Sequence, residues 1–211
     1  LIGLHNLQNM VVAFGCVFAL GLDLSRAAQG IGGLKGVPGR LQRVTGSQGP
    51  VVFVDYAHTP AALEAALQTL SSLCTGRIIA VFGCGGDRDK DKRYHMGRVA
   101  GHRADVVVLT NDNPRSESPA HILDAIEQGV RLERTDRMTA EELYGASRGY
   151  TVIEDRRQAI ECAIRSAHAE DVVLIAGKGH ENYQILGTQK LPFDDYKTAN
   201  EVLRQGGGPL W

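Results

Sequence analysis

The sequence predicts an α/β fold built on a doubly wound, mostly parallel sheet. Four continuous apolar runs lie at residues 51–54, 78–82, 106–109 and 172–176. Such runs are typical of parallel strands, because helices cover both faces of a parallel sheet. Segments with helical spacing of apolar residues alternate with these runs, as in repeated strand–helix units. We therefore expect a Rossmann-like sheet with an antiparallel edge.

The composition is that of a globular protein and argues against several classes of function. The chain has 211 residues and a formal net charge of -1, so it lacks the basic field of a nucleic-acid-binding domain. Its four cysteines are far apart and form no CxxC pair, which argues against a zinc site and favours a reducing compartment. The sequence shows no membrane-span-length apolar stretch and no signal peptide. We expect a cytoplasmic protein with no nucleic-acid or membrane partner.

The first 38 residues are predicted to be a helical segment that precedes the sheet domain. Apolar residues at helical spacing predict a helix over residues 6–20, and residues 25–29 could form a second, short helix. Glycines and a proline at 30–39 mark a boundary near residue 38. Because the sequence begins at Leu1 within a helix-like pattern, we interpret the chain as a fragment of a longer protein.

The elements of the main domain follow in order. A first strand is predicted at residues 41–44, before a turn at 46–50. Thr59-Pro60 then supplies an N-cap and a proline at the first helical position. Later helices, each with an inward apolar face, are predicted at 92–103, from 118 onward, at 155–167 and at 195–203.

Further segments complete the pattern. Residues 139–142 have the spacing of a capping box, and residues 150–153 are predicted to form a strand. Residues 183–186 are predicted as a late edge strand, which could form one arm of a hairpin with residues 190–193. The glycine-rich tail at 206–211 is predicted to be flexible.

Polar and charged residues follow each of the four apolar runs directly. The carboxyl ends of parallel strands share one edge of a sheet, and ligands of such sheets bind outside that edge. We therefore expect four loops to meet there. The loops are Asp55–Pro60, Gly83–Asp89, Asn111–Arg115 and Gly177–Glu181.

The loop Asp112-Asn113-Pro114-Arg115 is the most specific of the four. Pro114 fixes its own φ angle and restricts Asn113 to extended geometry, so the loop is stiff. A stiff loop can present the Asp112 carboxylate and the Arg115 guanidinium side by side, and that pair complements one end of a free amino acid. The alternative is an Asx turn with a solvated arginine.

The other loops each admit a functional and a structural interpretation. The glycines of Gly83–Asp89 let backbone N–H groups approach an anion, but the loop lacks the ending of a P-loop and could be a simple tight turn beside Arg88. Asp55 could meet a ribose hydroxyl or a magnesium-bound phosphate, and His58 could donate to a phosphate. Alternatively, Asp55 caps a turn and His58 is solvated. Glu181 could receive an amine, or could be a surface charge on a β-turn.

In this combination and order, the motifs resemble the C-terminal region of the Mur ligases. The segments that carry the resemblance are VDYAHTP, VFGCGGDRDKDKR, TNDNPR and AGKGHENYQ. The diaminopimelate-adding members are the most similar. The resemblance implies a central ATPase-domain remnant at 1–38, a C-terminal domain at 39–205 and a tail at 206–211.

The resemblance also implies a reaction and its ligands. Mur ligases use ATP and Mg²⁺ to join an amino acid to a nucleotide-linked peptide through an acyl phosphate, as cytoplasmic enzymes of peptidoglycan synthesis. Here the amino acid would be meso-2,6-diaminopimelate and the acceptor UDP-N-acetylmuramoyl-L-alanyl-D-glutamate, with the enzyme a monomer. The family's P-loop, modified lysine and UDP-sugar domain have no counterpart in this sequence, so the chain alone is expected to be inactive.

By the same resemblance, the candidate residues fall into two groups. Those expected to hold the amino acid are Arg88, Asp112, Asn113, Pro114, Arg115, Gly177 and Glu181. Those expected near the nucleotide are Asn6 and Asn9, at the adenine, and Arg40, Asp55, Tyr56 and His58. None of the chain's residues is assigned as a metal ligand or as a main catalytic group.

Several alternatives remain open at this level. The arginine at the end of the DNPR loop favours diaminopimelate, but a ligase for another amino acid, such as lysine, is the first rival. A non-catalytic module that binds a small molecule is the second. An NAD-dependent dehydrogenase is disfavoured, because the GxGxxG fingerprint is missing. The segment Arg131–Gly149 is longer than expected and has no predicted role.

Overall fold

The structure, a computed structural model, describes residues 3–34, 36–44, 49–134 and 136–206. The predicted turn at 46–50 and the predicted tail at 206–211 lie largely outside these residues. The described ranges contain seven helices and eight strands.

Two helices precede the sheet, α1 at Leu4–Ala19 and α2 at Leu24–Gly32, which confirms the helices predicted there. Asp23 caps α2, because its carboxylate accepts hydrogen bonds from two backbone N–H groups of the first turn. Large apolar side chains of these helices are exposed, among them Leu7, Val11 and Phe18. Within the described ranges, none of the helices combines the length and apolarity that a membrane span requires.

The predicted doubly wound sheet is confirmed. Its six strands are β1 (Gln42–Val44), β2 (Val51–Asp55), β3 (Ile78–Phe82), β4 (Val106–Leu109), β5 (Gly149–Val152) and β6 (Val172–Ala176). Their order in the sheet is β1-β2-β6-β3-β4-β5. β1 pairs antiparallel with β2, and every other neighbouring pair is parallel. The sheet therefore has the expected antiparallel edge.

Helices cover both faces of the sheet. The remaining helices are α3 (Pro60–Ser71), α4 (Asp91–Arg103), α5 (Pro119–Glu133), α6 (Arg156–Arg165) and α7 (Asp195–Arg204). α3, α4 and α5 pack on one face, and α6 and α7 pack on the other. Alternate strand residues enter the two cores, so that Phe53 faces the first and Val52 and Val54 the second. This two-sided burial explains the continuous apolar runs.

The segment between α5 and β5, for which the sequence suggested no role, covers an edge of the sheet. The Met138 N–H donates to the Tyr150 carbonyl at 2.8 Å, and the Tyr150 N–H donates to the Asp136 carbonyl at 3.0 Å. Leu143 is fully buried in the core under α6. The segment thus satisfies backbone groups of β5, an edge strand that would otherwise expose them.

Two local predictions had mixed outcomes. The capping box forms, since the Thr139 N–H donates to Glu142 Oε2 at 2.8 Å and the Glu142 N–H donates to Thr139 Oγ1 at 3.3 Å. Turns rather than an α-helix follow it. β7 (Tyr183–Leu186) pairs with β8 (Gln189–Pro192) in a separate two-stranded sheet. The predicted strand and its hairpin are therefore confirmed, but the hairpin is separate from the six-stranded sheet, so β7 is not an edge strand of that sheet.

Candidate functional site

A cleft of about 350 Å³ opens at the carboxyl edge of the central sheet. It lies where β2, β6, β3 and β4 end, and these four strands are neighbours. The lining comes from the loops after these strands, from α4 and from β7: Tyr56, His58, Gly85, Arg88, Asp89, Lys92, Asp112, Asn113, Arg115, Gly177, Glu181 and Tyr183. The expected convergence of the four loops is therefore observed.

The cleft brings together most of the candidate residues for an amino acid. These are Arg88, Asp112, Asn113, Arg115, Gly177 and Glu181. Pro114 is buried in the same loop as Arg115. Of the residues expected near a nucleotide, Tyr56 and His58 also line the cleft. The others, Asn6, Asn9, Arg40 and Asp55, lie outside its lining.

The loop after β4 is fixed by contacts with two other segments. Arg115 has a positive φ of 53°, and its backbone N–H donates to the Ile185 carbonyl of β7 at 3.1 Å. Its guanidinium donates to the Gly86 carbonyl at 2.8 Å, in the loop after β3. The Asn113 side-chain carbonyl accepts from the Ile185 N–H at 3.0 Å. The loop is therefore held from outside rather than by an Asx turn of its own.

Lys178 forms the centre of a buried polar cluster beneath the cleft. Its side chain is 0% exposed. The ammonium lies 3.3 Å from Asp112 Oδ1, 3.0 Å from Asn113 Oδ1 and 3.1 Å from Glu181 Oε2. Asn113 Nδ2 also donates to Glu181 Oε2 at 2.9 Å. Sequence reasoning missed the role of Lys178, and its position between two glycines directly after a buried strand was the one available signal.

The cluster keeps Glu181 ionised at neutral pH. Burial by itself raises the pKa of Glu181, but the hydrogen bond from Asn113 and the positive charge of Lys178 outweigh it, so that the pKa lies below its ordinary value. The negative charge of Glu181 in turn raises the pKa of Tyr183, whose ring lies 5.5 Å from the Lys178 ammonium. The cleft therefore carries a fixed carboxylate beside a neutral phenol.

The glycines after β3 allow the loops after β3 and β4 to pack closely. A Cβ at Gly83 would lie 1.9 Å from the Thr110 carbonyl oxygen, and a Cβ at Gly86 would lie 1.9 Å from the Pro114 carbonyl oxygen. Neither position therefore accepts a side chain. This packing brings Arg88, which is exposed at the rim of the cleft, close to the loop of Arg115.

A second set of contacts locks the same two loops. The Ser116 hydroxyl donates to Asp87 Oδ1 at 2.7 Å, and Glu117 Oε1 accepts from the Asp87 N–H at 2.6 Å. The Arg93 guanidinium donates to both oxygens of Glu117, at 2.9 and 3.0 Å. The hydrogen bond from Arg93 is the main reason that the pKa of Glu117 falls to about 2. The backbone around Arg88 is thus anchored at both sides.

Asp55 is engaged with the backbone rather than with the cleft. Its carboxylate accepts hydrogen bonds from the Leu41 N–H at 2.7 Å and from the Ala57 N–H at 2.9 Å, and the residue is 6% exposed. The structure therefore contains the turn cap that the sequence left open as an alternative. Through Leu41, Asp55 also fixes the segment that enters the sheet domain.

Aromatic and basic side chains surround Tyr56 at one wall of the cleft. Its ring centroid lies 4.6 Å from that of His58 and 5.2 Å from that of His180. The Arg40 guanidinium carbon lies 5.3 Å from the same centroid. Gly39 has a positive φ of 69° and lies very close to the loop after β6. A Cβ at Gly39 would lie 2.4 Å from the backbone nitrogen of His180. Arg40 is therefore held against the edge of the site.

A buried ion pair supports the site from below. Arg156 Nε and Nη2 each donate to the Asp195 carboxylate at 2.8 Å, and both side chains are fully buried. The same guanidinium donates to the Asn111 carbonyl at 3.2 Å and to the Ala176 carbonyl at 3.0 Å. It thereby ties the ends of β4 and β6 to α6 and α7. The sequence gave no signal for this pair, because its members stand far apart in the chain.

Comparison with known proteins identifies the family. The family model described as "Mur ligase, glutamate ligase domain" matches residues 39–179. The chain belongs to the Mur ligase family. The resemblance stated from the sequence motifs is thus confirmed.

In the described parts of the chain, no group of three or more His, Cys, Asp or Glu side chains is placed to hold a metal ion.

Individual Mur ligases match over nearly the whole chain. A UDP-N-acetylmuramoyl-L-alanyl-D-glutamate--2,6-diaminopimelate ligase from Gloeobacter violaceus is 49% identical over 204 residues, which are 96% of this chain and 39% of that protein. The protein of the same name from Geobacter metallireducens is 46% identical over 207 residues, 97% of this chain and 40% of that protein. The chain therefore spans about two fifths of the length of these relatives.

Solved structures of Mur ligases share the fold. One of a UDP-N-acetylmuramoyl-L-alanyl-D-glutamate--2,6-diaminopimelate ligase superposes with a TM-score of 0.69 at 37% identity, covering 96% of this chain and 39% of that one. A UDP-N-acetylmuramate-alanine ligase from Thermotoga maritima has a TM-score of 0.61 at 19% identity, covering 96% of this chain and 38% of that one. The second match supports the fold alone.

Proposed function

We propose that this chain is the amino-acid-binding part of an ATP-dependent ligase that adds meso-2,6-diaminopimelate to UDP-N-acetylmuramoyl-L-alanyl-D-glutamate. One observation carries the proposal: arginines and carboxylates from separate loops line a single cleft, as the two ends of a zwitterion require. The names of the most similar relatives support the same substrate. The enzyme would serve peptidoglycan precursor synthesis in the cytoplasm.

The cleft suits one end of diaminopimelate, which carries two ammonium–carboxylate ends. Glu181 and Asp112 would receive the ammonium group, with Asn113 between them. Arg88 and Arg115 would pair with the carboxylate, and Gly177 would leave room for the ligand. With that end fixed, the amine at the other end would be free to attack an acyl phosphate. Lysine has no carboxylate at the corresponding end, so it would leave the arginines unpaired.

The wall around Tyr56 is proposed to face the nucleotide. The exposed Arg40 and His58 side chains could pair with phosphate oxygens, while Asp55 would act through the backbone it caps. Asn6 and Asn9 of α1 would lie near the adenine. ATP would supply the phosphoryl group that activates the acceptor carboxylate.

The described part of the chain has no group of three or more His, Cys, Asp or Glu side chains placed to hold a metal ion, and Mg²⁺ is usually held by one or two carboxylates together with substrate phosphates and water. The metal site and most of the phosphate contacts are therefore proposed to belong to polypeptide outside these 211 residues. Residues 1–38 would be part of that central ATP-binding domain, residues 39–205 the C-terminal domain and residues 206–211 a tail. We propose a monomeric enzyme in which the two domains close over the substrates.

Isothermal titration calorimetry with the 211-residue chain tests the proposed amino-acid site. Meso-2,6-diaminopimelate should bind at least tenfold more tightly than 1,5-diaminopentane, which has both amines but no carboxylate for the arginines. Hydrogen bonds to charged groups contribute about 1.5–3 kcal/mol each, so Arg88→Ala and Arg115→Ala should weaken diaminopimelate binding about tenfold or more. Binding of 1,5-diaminopentane should change little. Arg204→Ala, on α7, is the matched control.

Two results would overturn the proposed function. One is equal affinity for 1,5-diaminopentane and diaminopimelate in the wild-type chain. The other is unchanged diaminopimelate affinity in both arginine variants, provided that their thermal unfolding matches that of the wild type.

A further inference from the structure

A charged lysine is fully buried beneath the cleft and makes every hydrogen bond that it can. The Lys178 ammonium has three donors, and it meets one oxygen each of Asp112, Asn113 and Glu181 at 3.0–3.3 Å. A buried ammonium is unfavourable unless it is paired and hydrogen-bonded. The three partners together meet that requirement, so Lys178 is held in one position.

Lys178 connects two loops that the sheet keeps apart. It follows β6, as does Glu181, whereas Asp112 and Asn113 follow β4. β3 lies between these two strands in the sheet. The lysine side chain therefore spans the end of β3. Removing it would leave only the Asn113–Glu181 hydrogen bond as a direct side-chain link between these members of the two loops.

Each carboxylate of the cluster has one oxygen that Lys178 does not contact. Asp112 and Glu181 carry two negative charges against the single positive charge of Lys178. Lys178 contacts only Oδ1 of Asp112 and Oε2 of Glu181, so neither Oδ2 nor Oε1 is taken by it. Both carboxylates line the cleft, whereas Lys178 does not. An ammonium group that enters the cleft could therefore contact these carboxylates, while the nearby Arg115 guanidinium could pair with a carboxylate of the same ligand.

We propose that Lys178 is a positioning residue for this site: its buried ammonium holds Asp112, Asn113 and Glu181 in the arrangement that receives the ammonium end of the amino-acid ligand. Lys178 acts through its partners and does not touch the ligand. The proposal rests on the proposed function, because it presumes a zwitterionic ligand in the cleft. It adds a residue that the sequence motifs alone did not single out.

The decisive variant is Lys178→Met, which keeps an unbranched side chain one atom shorter and removes the charge. Lys197→Met is the matched control, because Lys197 is on α7 with a side chain that is 77% exposed. The first measurement is calorimetry with meso-2,6-diaminopimelate between pH 5 and pH 8. The second is a ligand-free NMR titration of the Glu181 carboxyl carbon. Thermal unfolding of each variant reports whether it folds.

We expect Lys178→Met to weaken diaminopimelate binding about tenfold or more at pH 7.5, which corresponds to about 1.4 kcal/mol. Without the lysine, the two carboxylates repel each other, so the pKa of Glu181 should rise. The groups that also face this cluster are Arg115, Arg156 and Tyr183; all three remain in the variant. The affinity of Lys178→Met for diaminopimelate should therefore fall further as the pH is lowered. The affinities of the wild type and of Lys197→Met should stay constant over the same pH range.

Each outcome decides a different point. Wild-type binding with an unchanged affinity and pH profile in Lys178→Met would overturn the role of Lys178 and leave the proposed function standing. Absence of binding to the wild-type chain would overturn the proposed function and this inference with it. If Lys178→Met does not fold, Lys178→Gln takes its place, since it keeps two N–H donors without the charge. If neither folds, Lys178 serves folding alone and the proposal is wrong.

Discussion

Asp195→Ala should destabilise the protein strongly, because it leaves the buried Arg156 guanidinium without its carboxylate partner. The Arg156 guanidinium would keep two carbonyl acceptors but lose both hydrogen bonds to the carboxylate, in a place where neither side chain is exposed. Breaking a buried pair by removing one partner costs about 3–5 kcal/mol. At about 2–4 °C per kcal/mol for a chain of this size, the midpoint of thermal unfolding should fall by about 6–20 °C.

The matched control is Glu201→Ala, which removes an ion pair between the same two helices. Glu201 pairs with Arg157 at the surface, with side chains 54% and 48% exposed, so its loss should cost at most about 1 kcal/mol. Thermal and urea unfolding, followed by circular dichroism, compare the two variants with the wild type. If Asp195→Ala lowers the free energy of unfolding no more than Glu201→Ala does, the supporting role of the Arg156–Asp195 pair is refuted.

Two further predictions concern the loops of the site. Glu117→Gln should destabilise the protein at neutral pH, because Arg93 lowers the pKa of Glu117 from 4.5 to about 2. The difference in the free energy of unfolding between variant and wild type should shrink as the pH falls from 4.5 to 2. Urea unfolding measures this difference, and a difference that does not change with pH would contradict the pairing of Glu117 with Arg93. Gly83→Ala should destabilise the fold by several kcal/mol, since the added Cβ would overlap a carbonyl oxygen. Gly15→Ala should not destabilise it, because an added Cβ there meets no atom within 4 Å. Thermal unfolding compares the two variants, and equal effects would contradict the close packing at Gly83.

The sequence predicted the sheet well because its strands are buried on both faces. Continuous apolar runs gave β3, β4 and β6 with their observed bounds and β2 to within one residue, and caps marked the starts of helices. The sequence did not predict that the β7–β8 hairpin is separate from the main sheet, because a short amphipathic strand carries no information about which sheet it joins. The segment from 131 to 149 likewise fills an edge through backbone contacts, which leave little trace in residue types.

The candidate site was predictable only as far as loops can be assigned to strand ends. Parallel topology alone places the loops after β2, β6, β3 and β4 at one edge. Apart from Glu181, the partners of Lys178 are at least 65 residues away. The partners of Arg156 are 20 to 45 residues away. No periodicity or spacing connects such residues. Asp55 is different, because the VDYAHTP motif predicted its position correctly but did not show that its carboxylate would accept hydrogen bonds from the backbone.

The most direct test of the amino-acid site is a titration of the isotope-labelled chain with meso-2,6-diaminopimelate, followed by NMR. Shifts of backbone and side-chain signals should concentrate at Asn113, Arg115 and Glu181, in the loops that follow β4 and β6. Saturable shifts confined to other surfaces, such as the groove between α3 and α4 near Glu64 and His102, would contradict the site.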